Sequence, residues 1–190
     1  YKTPRAECTK NADYDVLDLT DLPDDYLPRT NYVPTCSKEE YERRTPKVPW
    51  DGWLVTEYYR FVNREMIGPS AERTFIPAIL PANTAHTNTC LASCFKDLQK
   101  LLDYYSLSVS VPVDYRVKST GMGHANTSLI AQLPLLSLPV HRSLLHLRAL
   151  ALTCLTIHYA SLWSTCWKDA FTSDSWAKSG RLSATVIENA

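Results

Sequence analysis

Pro23, Pro28 and Pro34 punctuate DLTDLPDDYLPRTNYVPT, residues 18–35, at a spacing that no helix survives. A proline ring withholds an amide donor, clashes with the preceding turn and pushes the residue before it toward extended backbone. We therefore expect residues 1–35 to run as an extended arm or linker. The arm is acidic as well, carrying Asp13, Asp15, Asp18, Asp21, Asp24 and Asp25. Later prolines divide the rest of the chain. SKEEYERRTP opens at Ser37, a good N-cap with Glu40 three residues on as its capping-box partner, and Pro46 and Pro49 close that helix. Pro77 within RTFIPAILP cannot donate to a ladder, so that strand belongs at a sheet edge or on a bulge.

Between the prolines, side-chain period sets the elements. Tyr59, Phe61 and Asn63 alternate with Arg60, Val62 and Arg64, which predicts a strand with one wet face. RTFIPAILP is a second strand, beginning at Arg73 after a turn, and NTAHTNTCLASCF is a third. Asp97 caps the helix DLQKLLDYYSL, whose Leu98, Leu101, Leu102 and Tyr105 share a face. Beyond Pro112, VDYRVKST is a further short helix or strand. SLIAQLPLLSL is expected as a strand, followed by a long helix from Pro139, which suits a first turn, to Trp167. Trp163 and Trp167, four apart on it, would form one ridge able to dock a neighbouring domain. Strands and helices without βαβ alternation imply an α+β fold. We expect a single domain with a mixed or antiparallel sheet, a few helices and a long C-terminal helix. It occupies residues 36–176, with a tail over 177–190.

Charge excludes less than it first suggests. Twenty acidic and twenty basic residues cancel, which removes bulk positive charge as an argument for nucleic acid. The cations are nevertheless grouped in mid-chain, at Arg43, Arg44, Lys47, Arg60, Arg64, Arg73, Lys96, Lys100, Arg116 and Lys118, away from the acidic arm. With 190 residues, 45% of them hydrophobic, the chain has material for one core. Its longest apolar run, LRALALTCLTIHYASLW, carries Arg148 and His158 and reads as a buried helix, not a membrane span. The six cysteines include no C-x-x-C pair and are expected as reduced, mostly buried thiols. His86, Cys90 and Cys94 on a strand would stand about 13 Å apart from one neighbour to the next, too far for joint metal ligation. Cys154 and His158 read as a buried thiol and a helix-surface imidazole. Gly-rich cofactor turns, P-loops, nucleophile elbows and H-E-x-x-H are all missing. The opening at Tyr1 leads us to expect a piece of a longer polypeptide.

The stretch VKSTGMGHANTSLIAQLPL, residues 117–135, has the content of a loop that hands ligand contacts to a rigid element. In order, the chain offers the helix DLQKLLDYYSL, a K-S-T-G step, a polar loop, L-P-L and an outgoing helix. This order resembles the target-recognition domains of DNA methyltransferases and of type I restriction specificity subunits. YLPRTNYVPTCSKEEYERRTPKVPW, YYRFVNREMIGPSAERTFIPAILPANTAH and PVDYRVKSTGMG resemble a narrower group. That group is the C-terminal target-recognition (specificity) regions of large restriction-modification and phage-defence adenine-specific DNA methyltransferases. The resemblance spans roughly residues 26–176.

The resemblance implies a division of labour. The N-P-P-Y motif and the S-adenosylmethionine pocket lie in a preceding domain of such proteins. This chain would then read the target duplex without a cofactor or chemistry of its own, in a prokaryotic cytoplasm and beside the methyltransferase domain. Reading a site needs base-edge contacts beyond the flipped base. The expected DNA-binding residues are Arg60 and Arg64 along a phosphate track, Arg73 on guanine or phosphate, and His86 and Asn88 in a polar loop. Lys118, Ser119 and Thr120 would approach a phosphate beside Gly121 and Gly123, with His124 and Asn126 as base readers. Bland alternatives stand beside each: an Arg73 pair with Glu72 or another acid, turn-stabilising asparagines and solvated arginines. For the whole chain the alternatives are a protein-interaction or structural domain and a small hydrolase with an unrecognised site.

Overall fold

In the arm, β1 (Lys2–Pro4) and β2 (Tyr14–Val16) form a short antiparallel hairpin, with Thr3 opposite Asp15. The computed structural model describes residues 2–10, 12–18, 20–30, 32–68, 70–135 and 140–174. The proline-spaced segment after β2 has no helix or strand among its described residues. It uses its carbonyls singly: Ile157 N–H donates to Asp24 at 2.9 Å and His158 Nε2 to Asp25 at 3.0 Å. The arm is thereby tied to the far end of the chain.

Helix α1 (Lys38–Arg44) starts where Ser37 Oγ accepts from Glu40 N–H. The Glu40 carboxylate turns instead to Arg43 and Arg44, at 2.6 and 2.5 Å. A second, three-stranded antiparallel sheet follows: β3 (Arg60–Arg64), β4 (Pro77–Leu80) and β5 (Cys90–Cys94), in the order β4-β3-β5. Pro77 lies on an edge strand opposite Asn63, as its missing donor requires. Central β3 departs from the expected alternation. Its first four residues are buried and only Arg64 is exposed, so it has no wet face. Arg73 does not begin a strand, since β4 starts at Pro77.

Helix α2 (Leu98–Ser108) begins where Asp97 accepts from Gln99 N–H and packs against both sheet and helices. Leu101, Leu102 and Tyr105 are buried as the apolar stripe predicts, but so are Asp103, Ser106 and Ser108. Ser106 and Ser108 donate to the carbonyls of Leu102 and Tyr104, which removes their need for water. Next come α3 (Val111–Ser119), α4 (Thr127–Ala131), α5 (Arg142–Thr153) and α6 (Ala160–Cys166). The core lies between the sheet and these helices, with Phe61, Phe75, Ile79, Leu101, Leu102 and Leu150 at its centre. Phe61 meets Tyr104 edge-on, their ring centroids 4.8 Å apart.

Two expected elements are different. Residues 127–131 are helix, not strand: Leu129, Ile130 and Leu133 are buried while Ser128 and Gln132 are exposed, a spacing that suits a helical turn. The single long helix is broken. Helix α5 stops at Thr153, a 3-10 turn covers Ile157–Tyr159, and α6 folds back. The β-branched Thr153, Thr156 and Ile157 weaken the helix at that point. Tertiary bonds hold the break, because Trp163 Nε1 donates to Cys154 O at 2.8 Å and Tyr159 OH to Ile79 O at 2.7 Å. The tryptophan ridge is lost with it: Trp163 turns back on the break, and Trp167, past the helix end, packs edge-on against Phe171. The Pro139 expectation, Trp176 and the tail lie outside the described residues. The fold is α+β, and among the described residues no helix is long and apolar enough to cross a membrane. The cysteines form no disulfide among the described residues, and they are less buried than expected: Cys154 and Cys166 are buried, Cys8, Cys90 and Cys94 half-buried and Cys36 exposed.

Candidate functional site

Arg64 ends β3 where three connections meet. Just beyond it, Glu65 N–H donates to Thr89 O at 2.9 Å, bringing in the β4–β5 connection. Ile67 N–H donates to Gly123 O at 3.0 Å and Ala125 N–H to Glu65 O at 2.7 Å, bringing in the loop between α3 and α4. Buried Asn63 pins that loop from beneath, its Nδ2 donating to Ala125 O at 3.2 Å and to Arg64 O at 3.1 Å. The loops around 65–67, 87–89 and 121–126 thus form one surface on a rigid strand end. Asn63 was legible only as one of three alternating residues. A lone amide on the face of Phe61 is the signal that points to its pinning role.

The expected readers divide on this surface. Arg64 and Asn88 are exposed and make no side-chain hydrogen bond or ion pair among the described residues. His124 is 60% exposed, with Nδ1 3.9 Å from Glu65 Oε1. Exposed Lys118 reaches Ala71 O at 3.5 Å. The remaining polar groups serve the backbone. Ser119 donates to Arg116 O, Thr120 donates to Val117 O while accepting from Met122 N–H, and Asn126 accepts from Leu129 N–H as the N-cap of α4. Gly121 takes φ +66° just past the end of α3, a conformation suited to glycine, with open space around it. A neighbouring groove of about 400 Å³ is lined by Tyr14, Tyr32, Thr87 and Asn88, so the arm borders the same surface.

Three expected residues lie elsewhere: Arg73, Arg60 and His86. Arg73 donates to Val109 O at 2.8 Å and stands 3.5 Å from Asp114, whose carboxylate also accepts from the Thr74 and Phe75 amides. The acidic neighbour foreseen for it is Asp114 rather than Glu72. Arg60, expected on a phosphate track with Arg64, is instead 2% exposed. It sits at the opposite end of β3, about 13 Å away by strand rise, beside the loop that carries His86. Arm residues 34–36 and α1 close over that end. The two arginines form no common track.

Sequence reasoning missed the most tightly bonded polar group. Asp103 on α2 and His146 on α5 are both fully buried. Arg142 donates Nε and Nη2 to the two Asp103 oxygens at 2.6 and 2.8 Å, and His146 Nε2 lies 2.8 Å from Oδ1. An ionised carboxylate only accepts, so Nε2 carries the imidazole proton, and buried Nδ1 is left without a partner. Burial pushes the Asp103 carboxyl up, but the Arg142 and His146 hydrogen bonds and charges outweigh it and hold it below the carboxylate range. Burial lowers His146 more than Asp103 raises it. With Asp103 and His146 fully buried and Arg142 about a third exposed, the cluster ties α2 to α5. Its sequence signal is Arg142 and His146, four apart, facing a lone acid on an apolar helix face.

Among the described residues, no group of three or more His, Cys, Asp or Glu side chains is placed to hold a metal ion. Cys90 and Cys94 stand at the two ends of β5, and His158 is engaged by Asp25 O. Comparison of the chain with protein-family models, with curated proteins and with solved structures gives no match.

Proposed function

We propose that this chain is the sequence-reading part of a restriction-modification or phage-defence adenine-specific DNA methyltransferase. It would grip the target duplex while a neighbouring domain of the parent chain, with S-adenosylmethionine, performs the methylation. The observation that carries the reading is the convergence of three loops on the end of β3, with Arg64, Asn88, Lys118 and His124 at their surface. Loops on a rigid scaffold are the usual carriers of recognition. Arginine matches guanine, asparagine matches adenine, and lysine meets phosphate without sequence preference. Glu65 and Glu72 share that end, so bulk attraction is weak and the parent's other domains must supply much of the backbone affinity.

The test is selection of a randomised duplex library by the whole 190-residue chain, followed by binding at two salt concentrations. A shared motif should emerge. R64A/H124A should lose the preference at particular positions, whereas K118A should weaken all duplexes alike. A folded chain that enriches no motif refutes the reading.

One observation favours a second partner. Leu152, Leu155 and Ile157 stand exposed together around the α5–α6 break, beside the anchored arm. This apolar patch suits a protein face, and within the proposal it meets the neighbouring methyltransferase domain.

A further inference from the structure

A guanidinium is a permanent cation, and burying one without a counter-charge is among the costlier things a fold can do. Arg60 is in that position. It is 2% exposed, and no carboxylate pairs with it among the described residues. The nearest titratable groups are the thiol of Cys94, kept protonated and therefore uncharged by burial, and the phenol of Tyr41, and neither is a carboxylate. Its Nη2 donates to the Thr84 carbonyl and its Nε is buried with no partner at all. The residue also borders a groove of about 460 Å³ between the arm, α1 and the β4–β5 connection. Tyr41, Arg44, Thr56, Ala85 and His86 line the same groove, so its walls offer donors and a second cation. Arg44 is already held by Glu40 at 2.5 Å, which leaves Arg60 as the uncompensated charge.

We infer that this groove seats a single phosphate-class oxyanion on Arg60. Tetrahedral oxyanions match the planar fork of donors that a guanidinium presents. Glu42 and Glu57 line the adjoining space toward α1, and they would repel a ligand whose charge extended that way. One phosphate fits this arrangement, and a polyphosphate does not. The phosphate comes either from free solution or from a nucleic-acid backbone. The existence of the site is independent of the duplex reading above, and its occupation by a duplex phosphate rests on it. In that case Arg60 sets register rather than reading bases, from the end of β3 opposite the reading loops.

The experiment uses the full chain and two probes, inorganic phosphate against chloride at matched ionic strength, and a duplex that the chain selects. Phosphate should shift the Arg60 Nε–H resonance saturably and raise the Tm, and R60Q should lose both responses. Because R60Q also changes a buried residue, A85D provides the control. It places a carboxylate in the groove beside Arg60, so the Tm should rise without phosphate and the phosphate response should vanish. In the duplex arm, R60Q should reduce the slope of log K against log salt by about 0.9, one phosphate's worth. A phosphate response without duplex binding keeps the site and sinks the duplex reading. Duplex binding with an unchanged R60Q slope, together with equal phosphate and chloride effects, overturns the site and keeps the reading.

Discussion

Replacing Asp103 should reveal how much the buried carboxylate contributes to holding α2 on α5. In D103A, His146 Nε2–H loses its acceptor in a fully buried position, at about 1–3 kcal/mol for an orphaned donor. The two Arg142 bonds are charge-assisted but their guanidinium is about a third exposed and can turn to water, so they contribute less than their short lengths imply. Breaking one partner out of such a buried pair costs about 3–5 kcal/mol in all. D103N keeps an acceptor for His146 and sets an amide donor against Arg142, for roughly half that loss. Urea unfolding followed by tryptophan fluorescence measures both. The pH dependence gives a second reading. Folded His146 binds its proton less readily than the unfolded chain does, so wild-type stability falls once pH drops below the ordinary imidazole value of about 6.5. Asp103 is held low in the fold, so a second loss sets in below the ordinary carboxylate value of about 3.9. D103A should keep the first decline and lose Asp103's part of the second. A D103A stability within about 1 kcal/mol of wild type, at an unchanged m-value, would refute the reasoning.

Further outcomes follow from single contacts. F61A empties a fully buried ring site against Tyr104 and Phe75 and should cost about 3–5 kcal/mol in the same urea assay. N63A removes the pin beneath the loop between α3 and α4, so the Ala125 and Ile67 amides should exchange with deuterium faster than those of α2, at a stability cost of about 1–3 kcal/mol. Y159F deletes the bond to Ile79 O that holds the α5–α6 break and should cost about 1 kcal/mol. Alkylation read by mass spectrometry should label exposed Cys36 at neutral pH and spare Cys154 and Cys166 until unfolding. Burial raises both of those thiols, Cys166 to about 11.

Elements were legible in the sequence wherever a rule acts within a few residues. Ser37 and Asp97 cap the helices they precede, and Pro77 marks an edge strand, because capping and the loss of a ladder donor are local physics. The errors fall where two periods fit the same letters. Leu129, Ala131, Leu133 and Leu135 alternate as in a strand, while Leu129, Ile130 and Leu133 suit a helical turn, and Asn126 as the cap decides for the turn. The long C-terminal helix failed for another reason. Nothing within residues 139–167 forces a break as strongly as the bonds made across the fold by Tyr159 and Trp163. Tertiary contacts of that kind override propensity.

The same distinction governs the site. Arg60 and Arg64 are the same residue type, four apart, on one face of one strand, and by any sequence rule they should share a fate. One is free in solvent at a junction of loops and the other is sealed without a counter-ion. The difference comes from other parts of the chain: residues 34–36, α1 and the 84–86 segment close over the Arg60 end, while the loops around 65–67, 87–89 and 121–126 meet beside Arg64 and leave it exposed. Residue type alone therefore did not separate the exposed arginine from the buried one. The cover arriving from elsewhere determines what each can reach: Arg64 lies open to solvent, whereas Arg60 faces only the groove. Opening the Arg60 end, by deleting residues 1–44 so that the arm and α1 leave together, should shrink the effect of R60Q on stability, because a solvated guanidinium needs no counter-charge. A change in stability on R60Q equal to that in the full chain would show that the cover is not what isolates it.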